Sequence, residues 1–133
     1  MSQFMETNSN TGANMNKVEF NSKEENLHYP GVMDIDAKEL SEKVEQVVLI
    51  DVREVDEFHG DLGHIPNAKL IVLNTIPNKL SEIPKDKTVV FVCRSGGRSA
   101  RATAHALEHG YTDVYNLKGG MILWNELHLE TEM

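Results

Sequence analysis

The chain holds one cysteine, Cys93, in the stretch "VVFVCRSGGRSARATAHALEHG", and within eight residues of it stand Arg94, Arg98 and Arg101. Packing alone does not call for three arginines beside a thiol, least of all in a chain of formal charge -8. The chemistry these residue types can do is nucleophilic. Gly96 and Gly97 let the backbone curl until successive N–H groups point at one place. A helix that starts directly afterwards adds unpaired amides and its positive end, so the loop favours a thiolate, a persulfide or a bound oxyanion. Cys93 is therefore the candidate nucleophile, and Arg94, Ser95, Gly96, Gly97, Arg98 and Ser99 are the candidate substrate-binding residues. The plainer alternative, a buried structural cysteine ending a strand, explains neither the glycines nor the arginines.

Elements that could hold such a loop are legible on both sides of it. "VVLIDV" (47–52), "AKLIVLN" (68–74) and "TVVFVC" (88–93) are continuous apolar runs, the pattern of parallel strands buried on both faces. "DVYNL" (113–117) reads as a weaker strand and "GVMDI" (31–35) as an edge strand. Asp36 is placed to cap a helix over "AKELSEKV", with Glu39 completing a capping box, and "EVDEFHG" reads as a short helix stopped by Gly60. The clearest helix runs from Ser99 to His109, with Ala100, Ala104 and Leu107 on one face and Gly110 at its end. The expected architecture is α/β, and Cys93 falls where a strand leaves the sheet, the side on which open parallel sheets bind ligands.

Composition narrows the function. Aspartate and glutamate outnumber lysine and arginine 21 to 13, which argues against nucleic acid or an anionic membrane as partner. No apolar run approaches the roughly 18 residues of a membrane span. A single cysteine excludes an internal disulfide framework and suits a reducing cytoplasm. Residues 1–26, rich in Asn, Ser and Thr, read as a mobile tail ahead of one domain over 27–133.

From about residue 31 to residue 127 the sequence resembles the rhodanese family. The resemblance is carried by "LIDVRE" (49–54), "GHIPNA" (63–68), "VVFVCRSGGRSARA" (89–102) and "LKGGMILW" (117–124), in the family's order and approximate spacing. It implies a three-layer domain with a five-stranded, mostly parallel sheet between helices. It also implies a sulfurtransferase, in which Cys93 takes a sulfane sulfur from a donor such as thiosulfate, holds it as a persulfide and passes it to an acceptor. The acceptor is cyanide or a thiol such as thioredoxin or glutathione. No cofactor and no metal is implied.

Phosphatases and arsenate reductases of related fold place the loop arginine six positions after the cysteine. Here Arg98 stands five after Cys93, with Ser99 sixth, a loop one residue short for phosphate. A non-catalytic module of this fold is the other alternative, and such modules often lack the cysteine. Arg94 matches the arginine that follows the cysteine in thiosulfate-using members; Ser95 stands where some members carry lysine. At least one of Arg94 and Arg98 is expected to touch the donor, the other serving alternatively to brace the loop. The resemblance suggests that Asp51 hydrogen-bonds the active loop or pairs with an arginine, with a purely structural role equally open. His64 and Pro66 read as fold-determining, and Asn67 as a residue tolerant of a left-handed turn. His105 and His109 have metal-binding spacing but no third ligand nearby, and Gly119, Gly120 and Trp124 read as a turn and a core aromatic.

Overall fold

The computed structural model describes residues 17–133. Six strands form one sheet: β1 (Glu24–Glu25), β2 (Met33–Ile35), β3 (Val48–Asp51), β4 (Lys69–Leu70), β5 (Val89–Val92) and β6 (Val114–Leu117). They lie in the order β1-β2-β6-β5-β3-β4, and every pairing is parallel except β1 with β2. Five α-helices join them: α1 (Ala37–Ser41), α2 (Val55–Phe58), α3 (Ile76–Lys79), α4 (Gly97–Glu108) and α5 (Gly120–Glu126).

Continuous apolar runs become strands buried on both faces, because alternate residues of one strand feed two separate cores. Along β5, Val90 and Val92 join Leu40, Leu49, Met121 and Trp124 on one side of the sheet. Val89 and Phe91, followed by Cys93, face Ile50, Ile76, Ala102 and Ala106 on the other. All four residues of β5 are buried, and removing the Phe91 ring from such a site costs about 3–5 kcal/mol.

Strand order puts the chemistry at one place. After β3 the chain turns outward to β4, whereas after β5 it turns the other way to β6. The carboxyl ends of β3 and β5 therefore diverge, and Asp51 and Cys93 stand at the crevice between them.

Several expectations shift in detail. The sheet has six strands rather than five, because Glu24–Glu25 adds an antiparallel edge outside β2; two exposed glutamates carry no apolar signal. Residues 1–16 lie outside the described residues, but part of the segment read as a tail is packed, with Val18 and Phe20 buried in the first core. The boundary set at residue 26 thus falls inside folded structure. The run at 68–74 gives only two strand residues before a 3-10 turn at Leu73–Thr75. Helix α1 stops at Ser41, and a 3-10 turn occupies Val44–Gln46.

The Asp36 cap forms, accepting from the Glu39 amide at 3.1 Å, but the reciprocal half of the box is replaced. Ser22 Oγ accepts from the Asp36 amide at 3.0 Å and donates to Glu39 Oε1 at 2.6 Å. The N-terminal segment thereby closes the helix start. In α4 the buried residues are Ser99, Ala100, Ala102, Thr103 and Ala106; Ala104 and Leu107 are half-buried, because the helix packs against both β5 and β6 and so turns a wider face inward.

Candidate active site

Cys93 follows the last residue of β5 and is 1% exposed. Gly96, at φ +106°, reverses the chain so that its amide donates to Cys93 Sγ at 3.1 Å, and α4 begins at the next residue. The loop is clamped from outside by the start of α5. There the Met121 amide donates to the Cys93 carbonyl at 2.9 Å and the Ile122 amide to the Arg94 carbonyl at 3.0 Å. This approach requires a glycine at 120: a Cβ there would stand 2.5 Å from the Cys93 carbonyl oxygen and 2.6 Å from the Arg94 carbonyl group. Gly119 and Gly120 form a turn as expected, and the turn also holds the Cys93 backbone.

Ser99, one turn into α4, reaches back to the sulfur. Its Oγ is 3.2 Å from Cys93 Sγ and 2.5 Å from Asn116 Oδ1 on β6. Asn116 Nδ2 in turn donates to Asp34 Oδ1 on β2 at 2.9 Å, and Asn26 Nδ2 donates to the same oxygen at 2.9 Å. A line of polar groups therefore runs from the thiol across three strands' worth of sheet to the β1–β2 turn.

The two loop arginines have different surroundings. Arg98 donates from Nη1 and Nη2 to the two oxygens of Glu57, at 2.8 and 2.9 Å. These bonds from Arg98, reinforced by the Glu54 amide and by the charges of Arg98 and Arg53 against the opposing effect of burial, hold the Glu57 carboxyl down at about 2. The same pair raises the Arg98 guanidinium, with smaller contributions from Cys93 and Asp51. Arg94 is exposed, has no ion pair among the described residues, and borders a cleft of about 200 Å³ shared with Arg53, Asp56, Glu57 and Asp61. Ser95 and Gly97 form the exposed edge of the loop.

Asp51 pairs with an arginine, and that arginine is Arg53: Nε to Oδ1 is 2.9 Å and Nη2 to Oδ2 is 2.8 Å, with both side chains 1% exposed. Arg53 Nη2 also donates to the Gly63 carbonyl at 2.7 Å. The pair fastens the end of β3 to the turn preceding His64, and no hydrogen bond from Asp51 to the Cys93 loop is present. His64 stacks on Phe58 at 3.8 Å between ring centroids, and its Nδ1 lies 2.9 Å from the Phe58 carbonyl oxygen. Asn67 adopts φ +75°, the left-handed conformation expected of it. His105 and His109 lie together, ring centroids 4.3 Å apart, and among the described residues no group of three His, Cys, Asp or Glu side chains could hold a metal.

Sequence reasoning passed over Arg53, Glu57, Asn116 and Asp34. Arg53 lies inside "LIDVRE", and a charged residue just after a fully buried strand signals a buried pair. Asn116, polar in the middle of "DVYNL", marks a central strand with a partner to satisfy.

The family model described as Rhodanese-like domain matches residues 36–127. A sulfurtransferase of Allochromatium vinosum is 44% identical over 96 residues, covering 70% of this chain and 88% of that one. The thiosulfate sulfurtransferase GlpE of Pseudoalteromonas translucida is 32% identical over 86 residues, covering 65% and 80%. A rhodanese-like domain protein from Staphylococcus aureus superimposes with a TM-score of 0.62 at 37% identity, covering 75% of this chain and 98% of that one. This chain belongs to the rhodanese-like domain family. Several of its relatives are sulfurtransferases by name. No helix among the described residues is long and apolar enough to cross a membrane.

Proposed function

We propose that the protein transfers a sulfane sulfur from a small anionic donor, thiosulfate or a close relative, to a thiol acceptor through a persulfide on Cys93. The carrying observation is the position of Cys93 Sγ, 3.1 Å from the Gly96 amide at the start of α4, where negative sulfur is stabilised.

In the first half-reaction the Cys93 thiolate attacks the outer sulfur of thiosulfate. A sulfur–sulfur bond forms to Cys93, the bond to the sulfonate breaks, and sulfite leaves with its electron pair, so charge balances without a proton. The Gly96 amide and the positive end of α4 then stabilise the persulfide anion. In the second half-reaction an acceptor thiolate attacks the outer sulfur and departs as a persulfide, restoring the Cys93 thiolate. Glutathione or thioredoxin in a reducing cytoplasm would fill the acceptor's role, and cyanide would serve in an assay. Exposed Arg94 is placed to meet the donor, and Arg98, held by Glu57, shapes the loop.

Intact mass spectrometry tests this reading. Incubation with thiosulfate should add one sulfur atom to the protein, and glutathione should remove it. An unchanged mass with thiosulfate and with other sulfane donors would overturn the assignment.

A further inference from the structure

The Ser99 hydroxyl has one proton and two acceptors. Cys93 Sγ lies 3.2 Å from its oxygen and Asn116 Oδ1 lies 2.5 Å away. Which end of the Asn116 amide faces Ser99 is decided on the far side. Asp34 offers acceptor oxygens only, so the Asn116 NH2 must point to it, as the 2.9 Å contact shows, and the carbonyl is left facing Ser99. Asp34 is itself held. Asn26 Oδ1 accepts from the His28 and Tyr29 amides at 2.8 and 3.0 Å, which turns its NH2 toward Asp34 Oδ1.

With its proton on Asn116, Ser99 presents lone pairs to the sulfur, the arrangement that suits a thiol S–H. A charged sulfur needs the opposite. We propose that Asn116 and Asp34 are positioning residues that compete with Cys93 for the Ser99 hydroxyl proton, so that Ser99 donates to Asn116 while the sulfur is a thiol and turns to donate to the sulfur when it is an anion. The chain thereby restrains the resting nucleophile, since ionising Cys93 withdraws the donor from a buried Asn116 oxygen. The proposal rests on Cys93 being the nucleophile, and not on which sulfur compound it meets.

Other charged groups stand around Cys93. Arg94 and Arg98 belong to its own loop and α4, Asp51 and Arg53 end β3, Glu57 sits on α2, and Lys118 follows β6 beside Asp34. Asp34 loses one of its two donors in Asn116→Ala, so the comparison with and without Ser99 is what isolates the competition.

The test is the pH dependence of Cys93 alkylation by iodoacetamide, a neutral reagent that needs no sulfur donor, in the full chain. Ser99→Ala removes a donor from the anion and should raise the midpoint by about one pH unit, a tenfold loss of reactive sulfur below it. Asn116→Ala removes the competitor and should move the midpoint the other way, with a several-fold faster reaction at low pH. In the Ser99→Ala background the same Asn116→Ala change should do nothing. A midpoint raised by Asn116→Ala, or lowered equally with and without Ser99, would overturn the proposal. Asp34→Asn is nearly isosteric and covers the case in which Asn116→Ala does not fold. It allows the Asn116 amide to reverse, and the part of its downward shift that depends on Ser99 must persist; an identical shift in the Ser99→Ala background would reduce it to simple charge removal and overturn the proposal. Normal alkylation behaviour in a protein that accepts no sulfur would instead refute the proposed function and leave this inference standing.

Discussion

The Glu57 carboxylate meets the Arg98 guanidinium in a two-pronged contact, with N–O distances of 2.8 and 2.9 Å, joining α2 to the first turn of α4. Glu57 Oε1 also accepts from the Glu54 amide at 3.0 Å, so the carboxylate caps its own helix while gripping α4. An arginine fork satisfied in this way is committed to shape. The exposed Arg94 is left as the cation that can change partners.

The brace has a pH signature. Glu57 titrates near 2 in the folded chain against an ordinary value of 4.5, so it contributes stability that is full above the ordinary value and lost as the pH falls toward 2. Glu39 behaves alike: burial opposes its ionisation, yet Lys43, Ser22 and the Asn21 and Ser22 amides together hold it at about 2. Denaturant unfolding followed from pH 5 to pH 2 should show falling stability. Glu57→Gln and Glu39→Gln should each flatten the curve by about 1 kcal/mol after allowance for solvent screening. An unchanged slope in both variants would mean that other carboxylates govern acid unfolding.

Gly120→Ala should harm both stability and chemistry. Its Cβ would collide with the Cys93 and Arg94 carbonyl groups, and φ at this position is +56°. A loss of about 2–4 kcal/mol is expected, together with slower persulfide formation because the loop is pushed out of shape. Gly97→Ala is the control for stability: nothing lies within 4 Å of its added Cβ, and Tm should stay within a few degrees.

Arg94→Ala should slow formation of the persulfide from thiosulfate by roughly tenfold, the value of a charge-assisted contact in a wet site, and should slow its discharge to glutathione less. Single-turnover measurement of the two half-reactions at fixed ionic strength checks this. Equal slowing of both steps would make Arg94 a structural brace. Asp56 and Asp61 around the same cleft repel a dianion, so their neutralisation should lower KM for thiosulfate.

Cys93→Ser should keep the fold and gain no sulfur. Serine fills nearly the same volume and can still accept from the Gly96 amide, so circular dichroism and Tm should barely move. Any mass gain in this variant would place the acceptor atom elsewhere.

What could be read in the sequence follows from how the information is stored. Val89–Val92 and Val48–Asp51 were legible as strands because burial on both faces demands unbroken apolar runs. The nucleophile loop was legible because glycines, arginines and the thiol sit within seven consecutive positions. The partners of that loop were not, since Glu57 is 41 residues from Arg98 and Asp34 is 82 from Asn116, and no local pattern announces a contact made by topology. Asp51 shows the intermediate case: a pairing with an arginine was among the readings, but which arginine was settled by the turn at Gly63, whose carbonyl takes a further bond from Arg53 Nη2.

Burial of the sulfur also limits who may collide with it. A disulfide needs two sulfurs about 2.05 Å apart, and a Cys93 that is 1% exposed offers no such approach to an identical buried sulfur on a second copy. Two copies of the protein with free Cys93 are therefore poorly placed to quench one another by cross-linking. In the proposed transfer an acceptor thiol must likewise reach a buried sulfur, which favours a slender thiol over a broad one.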